Sequence, residues 1–87
     1  MGRTRQMLYV VSSEQWINNE LSQFEVAGTF DKIEDAKLKA QSLIGTFENM
    51  LNEASTKYWL EFGVYGIILH VNNNRTIVSY APEFIKV

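Results

Sequence analysis

The chain has 87 residues, of which 46% are hydrophobic and 21% are charged, a composition that suits one globular domain over residues 1–87 and does not suit a disordered segment. Ten acidic and eight basic residues leave a net charge of -2, which does not favour binding to nucleic acid or to a membrane surface. There is no cysteine, so disulfides, thiolate catalysis and cysteine-based metal sites are excluded.

The N-terminal segment carries two basic residues, Arg3 and Arg5, ahead of a short apolar run over residues 7–11. This run is shorter than the roughly 7–15 apolar residues of a secretory signal and the about 20 of a membrane-spanning helix. We therefore expect residues 1–5 to be a flexible arm and the protein to be cytoplasmic, with no membrane partner.

Two strands are predicted in the first third of the chain. Residues 6–12 are apolar and rich in β-branched side chains, and residues 24–30 alternate in hydrophobicity with the period of a half-buried strand. The segment between them allows two interpretations. Residues 13–21 form either a short capped helix that buries Trp16, Ile17 and Leu21, or a hairpin loop.

A long amphipathic pattern follows and predicts a helix over residues 32–54. Asp31 is the expected N-cap, and Glu34 three residues later would complete a capping box. Apolar residues recur every three or four positions and would form one stripe, which comprises Ile33, Ala36, Ala40, Leu43, Ile44, Phe47, Met50, Leu51 and Ala54.

Two more strands are predicted over residues 64–71 and 76–80, joined by a loop at the three asparagines 72–74. The preceding residues 55–63 are either a loop or the irregular start of a strand. This order of elements predicts a two-layer α+β fold, in which a four-stranded, mainly antiparallel sheet packs on one long helix in the order β-β-α-β-β.

The sequence shows no catalytic or metal-binding constellation. His70 is the only histidine and lies in an apolar strand, so we expect a packed or rim residue. Neighbouring Glu34 and Asp35 diverge by about 100° around the helix and cannot share a proton. Gly63 and Gly66 lack the basic residues of a nucleic-acid-binding loop, and we expect them to permit a bulge or close packing. The protein is therefore predicted not to be an enzyme and to bind no cofactor or metal.

The helix face opposite the apolar stripe holds the first candidate binding surface. Leu38 lies about 140° from Ile33 around the helix axis. Ser42, Gly45 and Asn49 fall near it. An exposed leucine, beside a glycine that costs about 1 kcal/mol relative to alanine within a helix, suits close approach of another protein or of a second copy of this chain.

The aromatic segment after the helix holds the second candidate. Tyr58, Trp59, Leu60 and Phe62 cannot all point inward from one strand, because successive side chains point to opposite faces. We favour coverage of the remainder by the chain itself, through Trp16 and the C-terminal residues. If they are exposed, Tyr58 and Trp59 are candidate partner contacts, since Trp and Tyr often anchor protein interfaces.

The last quarter of the chain reads Tyr-Gly-Ile-Ile-Leu over 65–69, an Asn-rich turn, Thr-Ile-Val-Ser-Tyr over 76–80, and Ala-Pro-Glu-Phe-Ile-Lys-Val over 81–87. It resembles the end of very small phage-encoded inhibitors, in particular an anti-CRISPR family whose chains finish with a hairpin and a Pro-Glu-apolar tail. The resemblance implies a non-catalytic protein that blocks a bacterial defence or regulatory complex by binding to it.

The leading prediction is therefore a small protein-binding inhibitor, encoded by a phage or mobile element, that acts by stoichiometric binding in the cytoplasm of a bacterial host. The alternative is a homo-oligomeric protein that binds a small ligand, such as a nucleotide or metabolite, between its subunits.

Overall fold

A computed structural model describes residues 5–86 of the chain. The elements are β1 (Arg5–Ile17), β2 (Glu20–Phe30), α1 (Ile33–Glu53), β3 (Trp59–Phe62), β4 (Gly66–Val71) and β5 (Asn74–Lys86). The strands form one sheet in the order β2-β1-β5-β4-β3, and every neighbouring pair is antiparallel. The helix packs on this sheet, which confirms the predicted α+β class.

The sheet has five strands rather than the predicted four. The additional strand is β3, which pairs with residues 67–70 of β4. It lies in the segment 55–63, for which a loop and the start of a strand were both predicted. Of the expected flexible arm, residues 1–4 lie outside the described residues, and Arg5 begins β1 opposite Lys86.

The alternative of a short helix at residues 13–21 is wrong, and the hairpin interpretation is correct. β1 continues to Ile17, and the two-residue turn Asn18-Asn19 leads directly into β2. Both asparagines have positive φ angles, 52° and 68°. A turn with two positive φ angles matches the twist of antiparallel strands, and asparagine adopts this conformation more readily than most residues.

The second hairpin turn is shorter than predicted, and the strand after it is longer. Asn72 has a φ of 54°, as expected of this turn, but Asn74 already pairs with Val71 and begins β5. β5 then pairs with β1 along its whole length. Pro82 has no N–H to donate to a neighbouring strand. It is tolerated because β4 pairs with β5 only up to Ser79, so no strand lies beside Pro82 on the β4 side of β5.

The predicted capping box at the start of α1 is wrong. The N-cap is Lys32, which has extended backbone angles and no side-chain capping hydrogen bond. The two-residue connection after β2 places Asp31 outside the capping position. Glu34 and Asp35 still lie in the first turn, where acidic side chains interact favourably with the helix dipole.

The core lies between α1 and one face of the sheet. Among the described residues, the buried ones are Ala36, Ala40 and Ile44 from the helix and Val11, Ile67, Leu69, Val78 and Tyr80 from the sheet. Ile33, Leu43, Phe47 and Leu51 pack against them.

Two members of the predicted stripe do not reach this core. Met50 is 60% exposed and lies in the last turn of α1, about 80° from the centre of the buried side at Ala40. Ala54 is exposed because it forms the C-cap, beyond the last helical residue.

The prediction that Gly63 or Gly66 permits close packing is confirmed for Gly66, the first residue of β4. A Cβ atom at Gly66 would lie 3.1 Å from the carbonyl oxygen of Val78, so only glycine fits without displacement. Residues 63–65 form a turn instead of the predicted start of the strand, which leaves Val64 81% exposed. The Gly63 N–H donates to the Gly66 carbonyl and closes this turn.

Candidate interaction surfaces

Four of the six predicted contact residues share one surface, which we call the outer helix surface: Leu38, Ser42, Gly45 and Asn49. They lie on the side of α1 directly opposite the buried Ala36, Ala40 and Ile44. Leu38 is 64% exposed, which confirms its predicted outward orientation. A Cβ atom at Gly45 would meet nothing within 4 Å, so the helix has a shallow recess about 10 Å from Leu38.

Tyr58 belongs to a different part of the molecule. Its ring is partly buried against the core, and its hydroxyl donates a 2.9 Å hydrogen bond to Glu48 Oε2 on α1. This hydrogen bond raises the pKa of Tyr58, because the bond favours the protonated phenol, and burial and the Glu48 charge act in the same direction. Tyr58 therefore ties the segment before β3 to the helix.

Trp59 lies on the face of the sheet that α1 does not cover. Its cross-strand partner His70 stands between the core residues Leu69 and Val71, so Trp59 and His70 point the other way. The Trp59 ring stacks on the His70 imidazole with centroids 3.9 Å apart. Trp59 remains 59% exposed.

The expectation that the chain covers its aromatic segment is wrong for two residues. Phe62 is 71% exposed, and Trp59 is open as described above. Trp16 cannot cover them, since β1 and β3 are separated by two strands in the sheet. The C-terminal residues 74–86 are the strand β5 and do not fold over β3.

The uncovered face, which we call the open sheet face, carries a row of side chains from all five strands. In sheet order the row is Leu21, Trp16, Arg75, His70 and Trp59, each paired with the next across the strands. The Arg75 guanidinium lies 4.8 Å from the centroid of the Trp16 ring, a cation–π contact.

The next two rows of the open sheet face mix apolar and polar side chains, and Ser12, Ser79 and Gly66 share a row with Val26. Phe24, Ile77 and Ile68 lie in one row with Glu14 and Glu61, and Val26 lies in the row beyond it. Leu21, Phe24 and Val26 are each about half exposed. Of the residues on this face, only Trp59 was a predicted contact residue. The sequence signal that could have identified this face is the Asn18-Asn19 pair. The pair marks a hairpin and thereby fixes the side to which each alternating residue points.

A polar cleft of about 510 Å³ lies at the end of the sheet where the two hairpin turns meet. Its lining is Asn18, Asn19, His70, Asn72, Asn73, Asn74 and Arg75. The turns hold each other in place. The Asn18 N–H donates to the Asn74 side-chain oxygen, and Arg75 donates to the Asn19 side-chain oxygen, both at 3.3 Å.

His70 is fixed at the rim of this cleft. Its Nε2 atom lies 3.0 Å from Glu61 Oε1, and its ring stacks on Trp59. These two contacts agree with the prediction that His70 is a packed or rim residue. Within residues 5–86, no three His, Asp or Glu side chains are placed to hold a metal ion.

No family model, curated protein or solved structure matches this chain. Among residues 5–86, no helix is both long enough and apolar enough to cross a bilayer. The functional interpretation therefore depends on the surfaces themselves.

Proposed function

We propose that this chain is a non-catalytic protein-binding module that acts by stoichiometric binding through its outer helix surface. The observation that supports this most directly is the pair formed by Leu38, a large apolar side chain 64% exposed in mid-helix, and the open recess at Gly45. Burial of an exposed leucine side chain in a partner's pocket would contribute about 1.5–3 kcal/mol through the hydrophobic effect.

The helix presents this surface with little freedom to move. Ala36, Ala40 and Ile44 are at most 2% exposed and hold the opposite side of α1 against the sheet. A surface that is already ordered before binding loses less conformational entropy when the partner docks. The proposal therefore does not require α1 to rearrange.

The chemistry of the surface indicates the kind of partner. Ser42 and Asn49 are exposed and offer hydrogen bonds beside the apolar anchor. The exposed acids Glu34 and Asp35 lie at the start of the same helix. These features fit a partner with an apolar pocket for Leu38, a side chain that fills the recess at Gly45, and basic residues at the rim.

In its most specific form, the proposal is an inhibitor encoded by a phage or mobile element, which blocks a bacterial defence or regulatory complex in the host cytoplasm. The support for this form is the resemblance of residues 65–87 to small phage-encoded inhibitors. The outer helix surface supports the broader proposal of protein binding on its own.

The test compares the parent chain with a Leu38→Asp variant as bait in bacterial lysates, with captured proteins quantified by mass spectrometry. We expect Leu38→Asp to lower the recovery of the specific partner at least about tenfold, because a carboxylate would have to be desolvated in an apolar pocket. Met50→Asp is the matched control, since Met50 is 60% exposed on the same helix but lies outside the outer helix surface.

Thermal unfolding of both variants completes this test. Only a small fall in midpoint is expected for both, because each substituted side chain is mostly exposed and aspartate is a somewhat weaker helix former than leucine or methionine. Equal recovery of the same proteins by the parent and Leu38→Asp would contradict the proposal. So would a large fall in the Leu38→Asp midpoint, which would show that Leu38 supports the core.

The alternative of a homo-oligomeric protein with a ligand site between its subunits stays a prediction, and the polar cleft, which one chain lines on its own, supports only the small-ligand part of it. Five asparagine side chains and Arg75 line one concave region of about 510 Å³, a volume in the range of ligand sites. Amide groups and a guanidinium suit a ligand rich in oxygen acceptors, such as a nucleotide or a sugar acid.

A further inference from the structure

We infer that the open sheet face is an interface at which two copies of this chain pack face to face. The helix covers only the other face of the sheet, and the open sheet face carries Leu21, Phe24 and Val26, which are 49%, 58% and 54% exposed. Ile77 and Ile68 are two further apolar side chains in the row of Phe24, and Glu14 stands between Phe24 and Ile77. The inference is independent of the partner proposed for the outer helix surface.

The shape of the single chain supports a missing layer. The radius of gyration is 14.9 Å, compared with about 12 Å for a compact chain of this length. The molecule measures 58 × 25 × 18 Å, and the largest side chains that are fully buried are Leu69, Val11 and Val78. A second sheet packed about 10 Å away would complete a core of ordinary thickness.

The face is complementary to itself about a two-fold axis that runs along the strands between β1 and β5. This axis places β1 over β5 of the second copy and β2 over its β4. Phe24 then faces Ile68 of the second copy, because both lie in the row of Glu14 and Ile77. Val26 faces Gly66 in the same way, because both lie in the row of Ser12 and Ser79.

Charge is complementary in the same arrangement. Glu14 and Arg75 are partly buried on the open sheet face, and neither forms a salt bridge within the described residues. Within its own chain the Arg75 guanidinium lies over Trp16 and donates to the Asn19 side-chain oxygen. The two-fold axis brings Arg75 of one copy next to Glu14 of the other, so each dimer gains two such pairs.

The available area is sufficient for a specific dimer. The overlap of β2, β1, β5 and β4 with the second copy covers about 600 Å² of sheet on each side, given strands about 4.8 Å apart and about 3.3 Å per residue. The total of about 1,200 Å² is the lower limit for stable, specific interfaces. We therefore expect a dimer with a dissociation constant in the micromolar range.

The first test measures molar mass by size-exclusion light scattering at about 100 µM, a concentration above the expected dissociation constant. The parent chain should show twice its monomer mass of 10.0 kDa. Phe24→Glu should raise the dissociation constant at least about tenfold, because it replaces an apolar contact with Ile68 of the second copy by a desolvated carboxylate. Met50→Asp is the control and should leave the dimer intact, since Met50 is 60% exposed on the helix and lies on neither surface. Leu38→Asp tests the outer helix surface as the alternative interface.

Three results would overturn the inference. A parent chain that is monomeric at this concentration would leave the open sheet face to some other protein. A dimer that resists Phe24→Glu but is lost in Leu38→Asp would place the interface on the outer helix surface. A dimer unaffected by either variant would indicate pairing through the edge of β2 or β3.

A second test uses the charges and does not depend on any apolar substitution. The Glu14→Arg chain has positive charge at both positions, and the Arg75→Glu chain has negative charge at both. Each alone should dimerise at least about tenfold more weakly, because like charges would meet across the interface. An equimolar mixture should recover the dimeric mass, since both opposite-charge pairs are restored between unlike chains. A mixture that remains monomeric, or variants that dimerise like the parent, would overturn the inference.

Discussion

Tyr58 shows how a single side chain can couple the helix to the sheet. It lies just before β3, and its hydroxyl donates to Glu48 on α1. The hydrogen bond to Glu48 is the main cause of the raised pKa of Tyr58, and it exists only while the phenol keeps its proton. The folded state therefore holds this proton to higher pH than the unfolded chain does.

The sign of the resulting pH dependence follows from proton linkage. Below the unfolded pKa of 10.0 the contribution of Tyr58 to stability is fully present. Above it the folded state binds more protons than the unfolded state, so the stability falls as pH rises through the raised folded pKa. We predict that the urea midpoint of the parent falls more steeply above pH 10 than that of Tyr58→Phe. The other three tyrosines contribute equally to the pH dependence of both chains, so their contributions cancel in this comparison. Parallel curves would contradict this role.

Residue exposure was predictable for the helix and less so for the sheet. The outward position of Leu38 follows from the 100° rotation per residue, and the structure confirms it. The same kind of reasoning shows that Tyr58 and Trp59 point to opposite faces, as they do. It does not show which face the helix covers, and for that reason the exposure of Trp59 was mispredicted.

At the scale of the helix, two glycines with opposite surroundings give a matched pair. Gly45 lies inside α1 with free space where a side chain would be, whereas the Cβ position of Gly66 is 3.1 Å from a backbone oxygen. We predict that Gly45→Ala stabilises the fold by up to about 1 kcal/mol, the difference in helix propensity. Gly66→Ala should destabilise it, because Val78 and β5 must shift.

Urea denaturation of the two variants beside the parent tests this prediction. A loss of stability in Gly45→Ala would show that the recess is occupied, for example by a neighbouring molecule. If Gly45→Ala stabilises the chain and also weakens partner capture, the recess contributes to binding as proposed.

Element boundaries were predicted best where many residues contribute to one pattern. The helix was predicted over 32–54 and spans Ile33–Glu53, since its stripe repeats over five turns. The N-cap was mispredicted because capping depends on the backbone angles of one residue, Lys32, which the two-residue connection from β2 determines. The hairpin at Asn18-Asn19 stayed open between two interpretations, because apolar residues at 16, 17 and 21 fit a helical spacing as well as a strand.

At the scale of the whole molecule, the strand order explains why so few side chains are buried. β1 and β5 are the longest strands and pair along thirteen residues, but the single helix contacts only part of the surface they form. One helix about 30 Å long cannot cover both faces of a sheet. A second copy on the open sheet face would place the two helices, and thus both outer helix surfaces, on opposite outer sides of the dimer.

That arrangement predicts two separable effects on stability. Ile44→Ala removes a side chain that is 2% exposed in the core of each copy and should cost about 2–5 kcal/mol, whereas Met50→Ala should cost little because Met50 is 60% exposed. If folding and dimerisation are coupled, the urea midpoint of the parent should rise with protein concentration. Ile44→Ala should lower this midpoint at every concentration and keep the dependence. Phe24→Glu should instead remove the dependence and leave the midpoint near that of the dilute parent. A parent midpoint that does not change with concentration would mean that one sheet and one helix suffice for the stability of this chain.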